Sequence, residues 1–298
     1  MKKRMSFLLA LVLILGLTAC GSKPAESKAP ESEVPETEPA ESAPAETNPA
    51  VVEDEIELIV FAAASMTETL QEIEILYKET APNVKLTFNF DSSGTLKTQI
   101  QEGADCDLFI SAGKKQVDEL DISADSAVNT DGLDFIMQDT RVDLLENKVT
   151  LCIPEGNPAG ITDFASLVEK FEDPDILFAM GNSDVPVGQY TQKILAYLEL
   201  SEEELAAAGK ITYGSNVKEV TTQISEGSVS CGVVYCTDAF SAGLEIADYA
   251  TADMCGRVIY PAALIKGTAN ADAAKAFLSY LQSEEAMKVF ENVGFSAA

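Results

Sequence analysis

Two short stretches combine hydroxyl side chains, small residues and the expected start of a helix: Phe61-Ala62-Ala63-Ala64-Ser65-Met66-Thr67 and Phe90-Asp91-Ser92-Ser93-Gly94-Thr95-Leu96. The chemistry that such turns support is anion binding. The first N–H groups of a helix have no intrahelical acceptor and carry the positive end of its dipole, so helix starts converging on one point can hold an anion. Three alanines let the backbone approach a ligand closely, and Ser65 stands where an N-cap would turn amide hydrogens outward. A serine before a helix often does no more than cap it. Two such turns close together in sequence, each ending an apolar run, give the ligand reading its weight.

Serine hydroxyls at helix starts can also be nucleophiles, but the 298 residues include no histidine and no tryptophan. Without imidazole, triads of the usual kind are excluded, together with the commonest metal ligand and pH switch. No nucleophile-elbow motif is present, so the chain is not read as an enzyme. A formal net charge of -29, from 20 basic and 49 acidic side chains, opposes contact with nucleic acid and with anionic lipid. The 46% hydrophobic content and the length suit one or two domains with a sizeable core.

The charge is unevenly placed. Residues 1–20 carry Lys2, Lys3 and Arg4, then the apolar run Phe7 to Leu17 and Leu17-Thr18-Ala19-Cys20, the pattern of a secretory signal too short to span a bilayer. Leu-Thr-Ala-Cys resembles a bacterial lipobox, which implies lipidation of Cys20 and an anchor on the outer face of the cell membrane. Residues 21–52 hold seven glutamates, two lysines and six of the twelve prolines, a composition that cannot bury enough apolar surface to fold and should act as an extended tether. Setting aside +3 for the signal and -5 for the tether leaves -27 on residues 53–298.

Five further cysteines, Cys106, Cys152, Cys231, Cys236 and Cys255, include no Cys-x-x-Cys pair. Most sit in or beside apolar runs and are expected to be buried thiols, although spacing alone leaves a pairing between two of them open.

From residue 55, short apolar runs alternate with amphipathic stretches. Strands are expected at 56–62, 84–90, 107–111, 149–153, 176–180, 231–234 and 258–265. Helices are expected at 66–80, 95–102, 164–171, 190–200, 217–225, 272–281 and 284–290. Strands separated by helices imply an α/β fold with mostly parallel sheets, whose ligands lie beyond the carboxyl ends of the strands.

The turns that carry the chemistry also carry a resemblance. Val60-Phe61-Ala62-Ala63-Ala64-Ser65-Met66-Thr67, Ser92-Ser93-Gly94-Thr95-Leu96, Gln99-Ile100-Gln101-Glu102-Gly103-Ala104 and Cys106-Asp107-Leu108-Phe109-Ile110-Ser111-Ala112 resemble the molybdate-binding proteins of bacterial ABC transporters. So do Val185-Pro186-Val187-Gly188-Gln189-Tyr190, Asn216-Val217-Lys218 and Gly232-Val233-Val234-Tyr235-Cys236-Thr237-Asp238-Ala239, and the resemblance extends over nearly all of residues 55–298.

The resemblance implies a type II two-lobe periplasmic-binding-protein fold with two crossing segments. It places lobe one at 53–146 plus 237–298 and lobe two at 147–236, with crossings near 147–153 and 231–236. Carried over residue by residue, oxyanion contacts fall on the hydroxyls and amides of Ser65 and Ser93, the amides of Val187 and Val217 and the phenol of Tyr235. Valine at 187 and cysteine at 236 replace smaller residues usual in the family, the first altering bulk near the site, the second its local packing. The implied function is capture of molybdate or tungstate, with no cofactor, by a monomer that delivers the anion to the membrane permease subunits of an importer. A sulfate-type oxyanion-binding protein and a non-transport surface lipoprotein are the alternatives.

Neutral donors suit such a guest. A shell of N–H and O–H donors favours a fully ionised oxyanion over one bringing its own proton, so phosphate should bind poorly, whereas sulfate can be excluded only by size.

Overall fold

A computed structural model describes residues 55–298; the expected signal segment, Cys20 and the tether fall within residues 1–54, outside the described residues. The first lobe is built on a six-stranded sheet. Its strands are β1 (Ile56–Ala63), β2 (Val84–Asp91), β3 (Leu108–Ile110), β4 (Val142–Asn147), and, later in the chain, β10 (Val258–Leu264) and β11 (Ser296–Ala297), in the order β11-β4-β10-β3-β1-β2. The second sheet comprises β5 (Val149–Ile153), β6 (Phe178–Gly181), β7 (Ile211–Gly214), β8 (Cys231–Tyr235) and β9 (Glu245–Tyr249), in the order β7-β6-β8-β5-β9.

Helices cover these sheets. α1 (Thr67–Thr80), α2 (Ser93–Gln101), α3 (Lys114–Asp118), α10 (Ala271–Leu281) and α11 (Glu284–Asn292) accompany the first. α4 (Phe164–Lys170), α5 (Pro186–Tyr197), α6 (Glu202–Ala207), α7 (Val217–Ser225) and α8 (Cys236–Ala242) accompany the second, and α9 (Ala252–Cys255) lies between β9 and β10. Amphipathic spacing fixes which faces turn inward: α1 buries Thr69, Leu70, Ile73 and Tyr77, and α7 buries Val217, Val220, Thr221 and Ile224. β8 and β10 are buried along their whole length, as strands covered on both faces must be.

The pairing is mixed, and the path of the chain between sheets explains it. β1 pairs in parallel with β2 and β3, and β6 with β7 and β8, as the alternation of strands and helices predicts. β10 is antiparallel to β3 and β4, and β5 is antiparallel to β8 and β9. A strand that enters a lobe directly from the other lobe starts at the cleft, so it runs against strands that end there. β5 and β10 are those two strands.

The first crossing is short: β4 ends at Asn147 and β5 begins at Val149, in the region expected for it. The second differs from expectation. β8 leads into α8 and β9, both packed with the second sheet, so the return to the first sheet falls between Tyr249 and Val258 and not near 231–236. Residues 237–249, expected in lobe one, therefore belong with lobe two. β9 escaped sequence reading because its Glu245-Ile246-Ala247-Asp248-Tyr249 sequence is that of a half-exposed edge strand with charged side chains. β4, which lies between β11 and β10, was hidden by its polar residues Asp143, Glu146 and Asn147.

The helix expected over 190–200 starts earlier, at Pro186, a residue favoured in the first helical turn because its missing N–H has no intrahelical acceptor to lose. Its packing on β6 depends on glycine. A Cβ added at Gly188 would lie 2.1 Å from the Asn182 carbonyl oxygen and 2.3 Å from that of Gly181. Gly188→Ala is expected to destabilise the fold by about 2 kcal/mol or more, since backbone must move to admit the methyl group; urea denaturation showing wild-type stability would contradict this packing.

Candidate functional site

The strand ends place one group of residues together. Ala63 closes β1, Asp91 closes β2, Ala112 follows β3, Val187 follows β6, Val217 follows β7 and Tyr235 closes β8. All six line one small cavity between the lobes, with about 10 Å³ of space for a water-sized guest, together with Ala64, Ser65, Ser92, Ser93, Val185 and Pro186. The five residues expected to form the site, Ser65, Ser93, Val187, Val217 and Tyr235, are thus brought to one place, with exposures of 4, 0, 0, 4 and 1%. Burial this complete means that the cleft is closed over them.

The local roles of the serines differ from the simplest expectation. Ser65 is not the cap of α1; it lies in a 3-10 turn, Ala64–Met66, and its Oγ is 2.9 Å from the Tyr260 hydroxyl. In the second turn the capping is done by Ser92, whose Oγ accepts from the Thr95 N–H at 3.1 Å. Ser93 is thereby free of that duty. Its Oγ accepts from the Ala112 N–H at 3.0 Å, which leaves its hydroxyl hydrogen for another acceptor.

The amide donors follow from how the other helices begin. Val185 gives α5 no side-chain cap, and Pro186 contributes no N–H, so Val187 offers the first backbone hydrogen of that helix. At α7 the Asn216 side chain accepts from the Glu219 N–H, leaving that of Val217, at the first helical position, unclaimed by the cap. Three helix starts and a 3-10 turn therefore face one small space. Tyr235 completes the set: its hydroxyl is buried without a hydrogen-bond partner, and burial pushes the phenol's pKa well up, so it stays protonated and able to donate. Tyr190 and Tyr260 hold its ring edge-on, with centroids 6.3 and 5.7 Å away.

No lysine or arginine lines the cavity. The charged lining residue is Asp91, whose Oδ1 accepts from the Ser92 N–H at 2.7 Å and so is turned toward its own backbone. Asp91, Ala112, Val185 and Pro186 were not singled out as site residues, although each lies within or beside a quoted turn; only the meeting of the strand ends selects them. Cys236 packs with its Sγ 3.2 Å from Asn147 Oδ1, which answers the packing question that its unusual type raised. All five described cysteines are buried and unpaired.

The lobes touch through named contacts around the cavity. Lys218 Nζ on α7 lies 2.8 and 2.9 Å from the two carboxylate oxygens of Glu68 on α1, and Gln116 Nε2 on α3 donates to Gln189 Oε1 on α5 at 3.2 Å. Closest is the approach of α2 to the loop before α5: a Cβ added at Gly94 would lie 2.1 Å from the Asp184 carbonyl oxygen.

Comparison with known proteins now adds to the geometry. Residues 58–296 match the family described as bacterial extracellular solute-binding proteins. This chain belongs to that family. Among its relatives, a Bacillus subtilis protein provisionally named an ABC transporter substrate-binding lipoprotein, YvgL, is 36% identical over 251 residues, covering 82% of this chain and 88% of that protein. A Haemophilus influenzae molybdate-binding protein, ModA, is 32% identical over 243 residues, covering 81% and 90%. The fold of the periplasmic molybdate-binding protein of Azotobacter vinelandii matches with a TM-score of 0.68 at 21% identity, covering 81% of this chain and 99% of that one.

In this solute-binding protein the one buried carboxylate near the site, Asp238 in the first turn of α8, needs its own account. It lies 3.2 Å from Lys218 Nζ but has no well-aligned hydrogen bond. Burial pushes its pKa up to about 6, and the nearby Lys218 opposes that shift without cancelling it. The folded protein then binds this proton more tightly than the unfolded chain, so the contribution of Asp238 to stability falls as pH rises from about 4 to about 6. Asp238→Asn is expected to gain stability relative to wild type across that interval; urea unfolding curves with a pH-independent difference between the two proteins would contradict it.

Proposed function

We propose that this protein captures molybdate outside the cytoplasm and delivers it to the membrane permease subunits of an ABC importer. The observation that carries the reading is the convergence of Ser65, Ser93, Val187, Val217 and Tyr235 on one enclosed cavity, with donors that are all neutral. The closed cavity has only about 10 Å³ of space for a water-sized guest, far below the roughly 300–1,000 Å³ of ordinary organic-ligand sites, which favours a compact inorganic ion over a sugar or peptide. The two relatives named for ABC transport or molybdate binding support the ligand and the importer.

The chemistry is consistent with a dianion. Each charge-assisted hydrogen bond contributes roughly 1.5–3 kcal/mol, so about seven of them supply on the order of 10–20 kcal/mol against the lost hydration. The guest must therefore meet a complete donor shell, and closure of the lobes is what completes it, since Ser65 and Ser93 lie on lobe one and Val187, Val217 and Tyr235 on lobe two. A closed, liganded form is then the state for the permease to recognise. Lipidation at Cys20 and an extended tether over 21–52 would hold a monomeric binding domain at the outer face of the membrane. Binding without chemical change to the ligand is the activity proposed.

Isothermal titration is expected to show tight binding of molybdate and tungstate, with sulfate weaker and phosphate weakest; absence of heat with all four would remove the reading, and sulfate displacing molybdate would favour the sulfate-type alternative. Ser93→Ala is expected to weaken molybdate binding by about 10-fold or more through loss of a charge-assisted donor; unchanged affinity would take that residue out of the site. Gly94→Ala is expected to leave each lobe folded while holding the lobes apart, reducing affinity by about 10-fold or more and abolishing the ligand-dependent compaction measured by small-angle scattering. A variant that still compacts and binds as wild type would contradict the close interlobe packing.

A further inference from the structure

A hydroxyl in an anion site can face its guest with its hydrogen or with a lone pair, and only the first is attractive. Ser65 is a free rotor by composition, so something must choose its direction. Behind it, away from the cavity, runs a chain of buried polar groups. Ser65 Oγ is 2.9 Å from Tyr260 OH, and Tyr260 OH is 3.1 Å from Asn147 Nδ2. Asn147 Nδ2 also donates to Thr237 Oγ1 at 3.0 Å.

The orientation of the Asn147 amide is fixed at the far end of this chain. Asn147 Oδ1 accepts from the Lys148 N–H at 2.8 Å and from the Cys236 thiol at 3.2 Å. Two donors on that side would clash with an amide NH₂, so the carbonyl oxygen must face them and both amide hydrogens must face Thr237 and Tyr260. The Tyr260 oxygen is then an acceptor from Asn147. Its phenol is fully buried and kept protonated by that burial, and Ser65 Oγ at 2.9 Å is the partner placed to accept its one hydrogen. With an incoming hydrogen on its oxygen, Ser65 turns its own hydrogen elsewhere, and the side that remains open is the cavity that it lines. The strand prepares this. β10 shifts register between Tyr260 and Pro261, where proline has no N–H to give the ladder, and the Tyr260 ring lies edge-on to those of Tyr235 and Phe295.

We propose that Tyr260, oriented by Asn147, is a positioning residue that sets the Ser65 hydroxyl as a hydrogen-bond donor toward an oxyanion in the cleft. Tyr260 does not line the cavity; its ring packs against Tyr235, and its hydroxyl acts through Ser65. Preorganised donors avoid the penalty of reorienting when the ligand arrives, which is how such a chain raises affinity without touching the guest. The inference rests on the proposed oxyanion role of Ser65.

The test is a double-mutant cycle on the full-length protein, titrated with molybdate. Ser65→Ala is expected to weaken binding by about 10-fold or more, and Tyr260→Phe by about 3- to 10-fold in the wild-type background. In the Ser65→Ala background, Tyr260→Phe is expected to change affinity by less than about 2-fold, because its effect has nothing left to act through. A loss from Tyr260→Phe of equal size in both backgrounds would assign it a general structural role and overturn the inference, as would no loss in the wild-type background. If Tyr260→Phe does not fold, Asn147→Leu, which removes the orienting amide and keeps the phenol, carries the same cycle with the same expected pattern. Wild-type affinity in Ser65→Ala would instead remove the role of Ser65 on which the inference stands, a result separable from the failure of Tyr260 alone.

Discussion

The structure is organised around the supply of uncharged hydrogen-bond donors to a space closed off from bulk solvent. A cavity cut off from bulk solvent is a poor place for an ion unless donors surround it, and Ser93, Val187 and Tyr235 are at or near complete burial. Helix starts solve this because their first N–H groups are donors by geometry and need no side chain. The serines and the tyrosine fill directions that the amides leave open. What each helix lacks at its start, such as a side-chain cap on α5, is therefore as informative as what it has.

The closed arrangement of the lobes follows from the same packing. Donors divided between two lobes form a shell only when the lobes meet, and the meeting is close enough at Gly94 and Asp184 that a methyl group does not fit. The chain passes between lobes by a link of one residue, Lys148, and by the segment between β9 and β10. Asn147, at the end of β4, is therefore both the edge of the first crossing and the anchor of the polar chain behind Ser65. The charge of the whole chain plays little part at the site itself. Screening limits repulsion beyond about 8 Å in physiological salt, and Lys218, the cation nearest α7's start, is already engaged by Glu68 and Asp238.

Much of this was legible in the residues. The runs Ile56 to Ala62 and Val84 to Phe90 read as strands because a buried strand needs continuous apolar residues, and the turns that follow them read as helix starts because serine and glycine have few other uses there. Tyr260 was not legible as a polar participant, since it lies within an apolar strand where a tyrosine reads as core. β4 and β9 were not legible as strands, because acidic and polar side chains interrupt their apolar residues and leave no clear period.

By itself the sequence determined most of the segments that form the longer strands and helices, where helix starts carry small hydroxyl residues, and that no imidazole is present to turn those hydroxyls into nucleophiles. These are local properties, set by side-chain shape and by backbone donors within a few residues. The tertiary structure decided that five residues spread from 65 to 235 share one cavity, that Ser92 and not Ser93 is the cap, and that the second crossing follows β9. It also decided which groups stand behind the Ser65 hydroxyl, Tyr260 and through it Asn147, 195 and 82 positions away in the chain. Long-range hydrogen-bond direction is written in packing, and no local pattern records it.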